Sequence, residues 1–242
     1  MSSGNLLELS GVHTHIGAYH ILHGVDLAVP RGEVTMLLGR NGAGKTTTLR
    51  TIMGLWQASQ GSIRFGQQDI TRLATPAIAQ LNIAYVPENM GIFADLTVKE
   101  NLLLAARSAS HAARMDRSRL DWIYELFPAV QKFWDHPAGK LSGGQKQMVA
   151  VARAIVEPRD LLIVDEPSKG LAPAIINNMI EAFAQLKAGG VSILLVEQNI
   201  DFAKRLGDGV AVMDNGRVVH AGSMADLAAD EELQQSLLGL AL

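Results

Sequence analysis

The chain has 242 residues, 48% of them apolar and 19% charged, enough to bury a sizeable core as one large domain or two lobes. With 21 basic and 24 acidic side chains the net charge is −3, which argues against a nucleic-acid partner, and the absence of cysteine excludes disulfides and thiolate metal sites. No run approaches the roughly 18 consecutive apolar residues of a membrane span, and Met1-Ser2-Ser3-Gly4-Asn5-Leu6 lacks a basic segment followed by an apolar one, so the chain reads as soluble by itself and fits a cytosolic setting.

His13, His15, His20 and His23 crowd the N-terminal region without nearby cysteine or spaced carboxylates, and read as strand-face and loop residues rather than metal ligands. Val25, Leu27 and Val29 alternate as one buried strand face. Val34-Thr35-Met36-Leu37-Leu38 is apolar enough for a strand buried on both faces. It runs into Gly39-Arg40-Asn41-Gly42-Ala43-Gly44-Lys45-Thr46, a full GxxxxGK[ST] phosphate loop, and then into Thr46-Thr47-Thr48-Leu49-Arg50, a helix start. The glycines let backbone N–H groups point inward at phosphate oxygens where a β-carbon would block the approach, and the helix N-terminus adds partial positive charge. Lys45 then reaches the β- and γ-phosphates, and the Thr46 hydroxyl ligates Mg²⁺. A Rossmann site would space its glycines GxGxxG; here they read GxxGxG and are followed by Lys and Thr.

Further along, Ser62-Ile63-Arg64-Phe65-Gly66 and Asp69-Ile70 suggest a hairpin, and the pattern turns helical from about residue 93 to 157, as at 98–107 and 119–126. Leu141-Ser142-Gly143-Gly144-Gln145 opens a helix over 145–156. Leu161-Leu162-Ile163-Val164 makes a short central strand that delivers Asp165 and Glu166 before Pro167 stops it. Two such carboxylates suit metal-assisted hydrolysis, with Asp165 in the Mg²⁺ shell and Glu166 polarising the attacking water. A helix from Pro173 to about residue 187, a strand over 191–196, and a hairpin around Asp214-Asn215-Gly216 follow. Leu227, Leu233, Leu237 and Leu238 make the tail, residues 224–242, an amphipathic helix docked on the body.

The pentapeptide at 141–145, between a phosphate loop and an apolar run ending in Asp-Glu, resembles the signature of ABC ATPases, and the order of motifs matches that family from about residue 6 to about residue 222. The resemblance implies an α/β fold: a P-loop NTPase (RecA-like) core over 1–92 and 158–222, an antiparallel β subdomain, an inserted α-helical subdomain over about 93–157, and a C-terminal helix over 223–242, all in a single ABC ATPase domain. It implies ATP and Mg²⁺, with Gly39, Arg40, Asn41, Gly42, Ala43, Gly44, Lys45, Thr46 and Thr47 binding ATP. Leu141, Ser142, Gly143, Gly144 and Gln145 would contact ATP held by another subunit.

Several positions depart from the family pattern. Glu88, in Val86-Pro87-Glu88, stands where a glutamine usually approaches Mg²⁺ and still offers a metal ligand. Gln198 replaces the histidine that contacts the γ-phosphate, so it hydrogen-bonds without carrying a proton's charge. Ser168-Lys169-Gly170-Leu171-Ala172-Pro173 replaces a Ser-Ala-Leu-Asp-like loop. The adenine-stacking place falls at Ile16, with Tyr19 the nearby aromatic. Together, Glu88, Val196-Glu197-Gln198-Asn199, Gly170-Leu171-Ala172-Pro173 and Tyr124-Glu125-Leu126-Phe127-Pro128 resemble the ATPase subunits of branched-chain amino-acid importers. His20-Ile21-Leu22-His23-Gly24-Val25 with Leu38-Gly39-Arg40-Asn41-Gly42 is also similar to the urea and short-amide branch.

The resemblance implies an ATPase peripheral on the cytoplasmic face of the inner membrane. Its partners would be permease subunits, a second ATPase subunit (an identical copy or a related chain) and, through the complex, a solute-binding protein. A GTPase reading lacks an Asn-Lys-x-Asp guanine-reading segment, and a small-molecule kinase leaves the 141–145 signature without a purpose. A nucleotide-binding subunit with little hydrolysis of its own is the competing class, motivated by Gln198 and Ile16.

Overall fold

The computed structural model describes residues 4–106 and 115–239. Strands β1 (Asn5–Ile16) and β2 (Tyr19–Pro30) form a long hairpin, and β3 (Val34–Gly39) leads through the glycine loop into α1 (Lys45–Ile52). β4 (Ala58–Phe65), β5 (Gln68–Asp69), α2 (Thr75–Ala79) and β6 (Ile83–Val86) follow. A helical stretch comes next: α3 (Val98–Leu103), α4 (Arg117–Leu126), α5 (Pro128–Lys132) and α6 (Gly143–Ala154). The chain then alternates through β7 (Leu161–Asp165), α7 (Pro173–Ala188), β8 (Ser192–Glu197) and α8 (Ile200–Leu206). It closes with the hairpin β9 (Gly209–Asp214) and β10 (Arg217–Ser223), then α9 (Met224–Ala229) and α10 (Glu231–Leu238).

Two sheets result. The larger has six strands in the order β10-β9-β3-β8-β7-β6, parallel except for β10; the smaller is antiparallel, β2-β1-β4-β5. Side chains on successive strand residues face opposite ways, so the continuous apolar runs of β3, β7 and β8 feed two cores. Val34, Met36, Leu38, Leu162, Val164, Ile193 and Leu195 pack with α6, α7 and α8 on one face. Leu37, Leu161, Ile163, Leu194 and Val196 pack on the other with α1 and the inner face of the antiparallel sheet, Val25, Leu27 and Val29 included. Being buried on both faces fixes the register of these strands, because a one-residue slip would exchange the two cores.

Local signals explain most boundaries. Thr97 starts α3 with a capping box to Glu100, and Ser142 starts α6 with a capping box to Gln145. That cap moves the start of α6 to Gly143, two residues before the expected helix, and its end to Ala154. The expected helix over 98–107 ends at Leu103, and Arg107 lies outside the described residues. The tail corrects the expectation of one helix: Asp230, with extended backbone, ends α9 and caps α10 by accepting the Leu233 N–H. Its last residues, 240–242, are not described. The four histidines are strand-face residues forming a cross-strand ladder; the His15 and His20 rings stack with centroids 4.1 Å apart.

The turn at Asn215 (φ 45°) and Gly216 (φ 73°) has the two positive φ values of a type I′ hairpin. It also clamps the phosphate loop: the Gly216 N–H donates to Ala43 O, and Gly216 O accepts the His23 N–H. A Cβ at Gly216 would lie 2.0 Å from Ile21 O. Gly216→Ala should therefore destabilise the fold by at least about 2 kcal/mol. Urea unfolding monitored by circular dichroism would measure it, and an unchanged midpoint would contradict the clamp.

Candidate nucleotide site

The glycine loop begins where β3 ends. Gly39 has φ 146°, and a Cβ there would come within 2.3 Å of Met213 O on neighbouring β9, so only glycine brings the loop this close to the sheet. Gly42 faces open space on the cleft side, and its left-handed backbone (φ 82°) favours glycine. Lys45 is buried at the first turn of α1 and folds back on the loop, donating to Gly39 O (2.7 Å) and Arg40 O (3.0 Å). Burial pulls its ammonium below the usual lysine range, and the nearby Glu166, Asp165 and Glu197 carboxylates partly offset that.

Register delivers the acids to the same place. Glu197 on β8 pairs with Leu38 on β3, and Asp165 on β7 pairs with Val196 on β8, so the carboxyl ends of three adjacent parallel strands converge beside the loop. The Thr46 hydroxyl donates to Asp165 Oδ1 at 3.2 Å, while Asp165 Oδ2 is buried with no hydrogen-bond partner. Burial lifts the Asp165 carboxyl to about 6; the Thr46 bond pulls it down, and the Glu166 and Glu88 charges push it up. An orphaned buried carboxylate oxygen beside a hydroxyl is an oxygen donor set suited to a hard divalent cation.

Glu166 sits at φ 49°, left-handed backbone that a non-glycine residue adopts at a cost, with its N–H donating to Val196 O. The Gln198 amide nitrogen bridges two groups, donating to Asn41 Oδ1 at 2.8 Å and to Glu166 Oε1. Thus Gln198 touches both the phosphate loop and the second carboxylate.

Two residues escaped the sequence reading. Glu197 is buried and accepts the N–H groups of Ser168, Gln198 and Asn199 at 2.9, 3.1 and 3.3 Å, tying the loop after β7 to the loop after β8. The signal for it was an acid at the end of a fully apolar strand. Lys169 pairs with Glu88 Oε1 (2.6 Å) and Glu166 Oε2 (3.2 Å). Those two partners hold its ammonium above the usual lysine range.

A cleft of about 380 Å³ is lined by Asn41, Gly42, Gly44, Lys45, Thr46, Thr47, Glu88, Glu166 and Lys169, with Ile21 of β2 as a wall. A second hollow of about 300 Å³ lies behind it between Arg40, Gln198 and Leu238, where α10 backs the loop. Ile16 and Tyr19 are paired across the tip of the β1–β2 hairpin; Tyr19 is exposed, and neither lines the cleft. The stretch Leu141-Ser142-Gly143-Gly144-Gln145 does not line it either. Ser142 caps α6, Gly144 packs against Ile175, and Gly143 faces open space.

Comparison with known proteins places the chain in a family. A profile of the ABC transporter family matches residues 22–169. The chain belongs to the ABC transporter family. It is 38% identical to the high-affinity branched-chain amino acid transport ATP-binding protein BraG of Pseudomonas aeruginosa, over 97% of this chain and all of that one. It is also 34% identical to the probable branched-chain amino acid transport ATP-binding protein LivF of Archaeoglobus fulgidus, over 91% of this chain and 93% of that one. Among solved structures, an ATP-binding cassette of an ABC transporter in its ADP conformation superposes with a TM-score of 0.83 at 25% identity, over 98% of this chain and 99% of that one. An ATP-binding subunit of another ABC transporter superposes at 0.82 with 31% identity, over 97% and 96%. As an ABC ATPase with the P-loop fold, the chain binds nucleotide and serves a transporter complex. No described helix is long and apolar enough to cross a membrane.

The Asp165 environment makes a stability prediction. Its folded value, about 6, lies above the ordinary 3.8, so holding the anion costs stability above pH 6, and that cost disappears as pH falls toward 3.8. Asp165→Asn should stabilise the nucleotide-free protein by about 1–3 kcal/mol at pH 7 and by roughly half as much at pH 5. Denaturant midpoints at the two pH values would measure this. Equal effects at both would mean that the carboxylate is not under strain.

Proposed function

We propose that this chain is the ATP-hydrolysing subunit of an importer for branched-chain amino acids, bound on the cytoplasmic side of the membrane to separate permease subunits that a solute-binding protein supplies. It would act as one ABC ATPase unit, with residues 93–157 as its helical subdomain. The observation that carries the enzymatic part is the convergence of Lys45, Thr46 and Glu166 on one cleft, with Asp165 and Gln198 hydrogen-bonded to Thr46 and Glu166 at its edge. The amino-acid part rests on likeness to BraG and LivF along nearly the whole chain. The solute itself never touches these residues.

The residues divide the work as follows. The loop amides from Gly39 to Thr47 surround the triphosphate, and Lys45 exchanges its two carbonyl partners for the β- and γ-phosphates. Mg²⁺ held by Thr46 and Asp165, with Glu88 in the same cleft, would neutralise phosphate charge in the ground and transition states. Glu166 orients and polarises water, while Gln198 fixes Glu166 against Asn41 and offers neutral hydrogen bonds near the γ-phosphate. Glu197 positions both loops from below. Ile16 or Tyr19 at the hairpin tip would face adenine. The γ-phosphate lacks a lid in one chain, and Ser142 with the Gly143 and Gly144 amides at the start of α6 would supply it from a second ATPase subunit.

The permease would sit on the apolar surface presented by Leu55, Phe93 and Leu104, all exposed, beside a groove of about 400 Å³ floored by Met53, Ile83, Ala84 and Ala150. Ala150, Arg153 and Ala154 of α6 line the same groove, so a permease seated there would touch the signature helix.

Steady-state ATPase assays of purified protein, alone and with permease, test the reading. Lys45→Ala should lose most nucleotide binding and nearly all turnover. Gln198→Ala should fall by about 10²–10³, the loss typical of removing one such contact from a water-excluding site, while Gln198→His stays active. Full activity in Gln198→Ala would make the residue a bystander. An inactive wild type rescued by histidine would mean that the chain is a binding subunit whose partner hydrolyses ATP.

A further inference from the structure

Lys169 stands three residues beyond Glu166, in the turn after β7, and its side chain is 57% exposed against 9% for Glu166. Its ammonium is 2.6 Å from Glu88 Oε1 and 3.2 Å from Glu166 Oε2. The other Glu166 oxygen accepts the Gln198 amide. Both oxygens of the carboxylate assigned to the attacking water are therefore engaged by protein donors, and one of those donors carries a full charge. A carboxylate held this way is a poorer acceptor for water than a free one, because both of its oxygens already accept from protein donors and water must compete with them.

The lysine is not placed there by chance of a loose loop. Its own N–H donates to Glu166 O, and the preceding Ser168 N–H donates to buried Glu197, which also holds the Gln198 and Asn199 amides. The same buried acid thus fixes both donors that occupy Glu166. Lys45, the other cation of the cleft, is turned toward loop carbonyls. Lys169 is the ammonium that balances Glu88 and Glu166 in the nucleotide-free chain.

We propose that Lys169 is a positioning residue that latches Glu166 and Glu88 in the resting site, and that its withdrawal from both is a step in committing bound ATP to hydrolysis. This rests on the ATPase reading above. Because the Lys169 ammonium and its Glu88 partner are largely exposed, the latch is weak and sets a threshold rather than an absolute block. Lys169→Met keeps the stem and removes the charge, and Lys169→Arg keeps the charge.

The experiment compares wild type, Lys169→Met and Lys169→Arg in two assays: turnover at saturating ATP and Mg²⁺, and the Mg²⁺ dependence of binding a non-hydrolysable ATP analogue. Lys169→Met should turn over about two- to five-fold faster, the range open to an ion pair whose cation is exposed, and Lys169→Arg should stay near wild type. In the binding assay Lys169→Met should need less Mg²⁺ for half-saturation, because Glu88 is freed, and adding Glu88→Gln should abolish that difference. Unchanged or reduced turnover in Lys169→Met from an active wild type would overturn the latch. A wild type without turnover would instead count against the ATPase reading; the analogue assay would then decide the latch, and an unmoved Mg²⁺ midpoint would overturn it.

Discussion

The register between β3, β8 and β7 governs where every polar group of the cleft stands. Leu38 opposite Glu197 and Val196 opposite Asp165 bring a glycine loop, a buried acid and a carboxylate pair to one edge of a parallel sheet. The register is held by burial on both faces, since Leu37 and Met36, or Ile163 and Val164, belong to opposite cores. Polar chemistry at the strand ends is thus positioned by apolar packing within the strands.

That edge is electrostatically and conformationally expensive. Asp165 is buried with one oxygen unpartnered, Lys45 is desolvated, and Glu166 adopts left-handed backbone. Each feature lowers the stability of the nucleotide-free chain, and a ligand that brings phosphate oxygens to Lys45 and a cation to Asp165 would relieve the first two. Until then the site balances itself internally: Lys45 on loop carbonyls, Lys169 and Gln198 on Glu166.

Most of this architecture was legible because its signals are local. Strand runs buried on both faces, the glycine spacing at 39–44, the Asn215-Gly216 turn and the acids after Val164 each carry their own physical reason in a few residues. Helix starts were less legible where a side-chain cap decides them, as Ser142 and Gln145 do for α6. The tail misled because its leucine periodicity continues across Asp230, whose capping bond outweighs the pattern. Contacts between segments far apart in sequence had no local signal. Lys169 meeting Glu88, Ile21 walling the cleft and Glu197 gathering amides from two loops follow only from the assembled sheet.

The placement of 141–145 away from the cleft bears on the central claim, that one nucleotide is gripped by two subunits. Gly143 faces open space, so Gly143→Asp can place a charge at the signature without disturbing the fold. Lys45→Ala removes the grip and leaves the signature intact. The most direct measurement is ATP hydrolysis by Gly143→Asp and Lys45→Ala proteins, assayed separately and then mixed. Each should be inactive alone, and the mixture should recover turnover, because a mixed dimer holds one site with a sound phosphate loop and a sound opposing signature. A mixture that stays inactive, or a Gly143→Asp protein that hydrolyses ATP at the wild-type rate by itself, would contradict it.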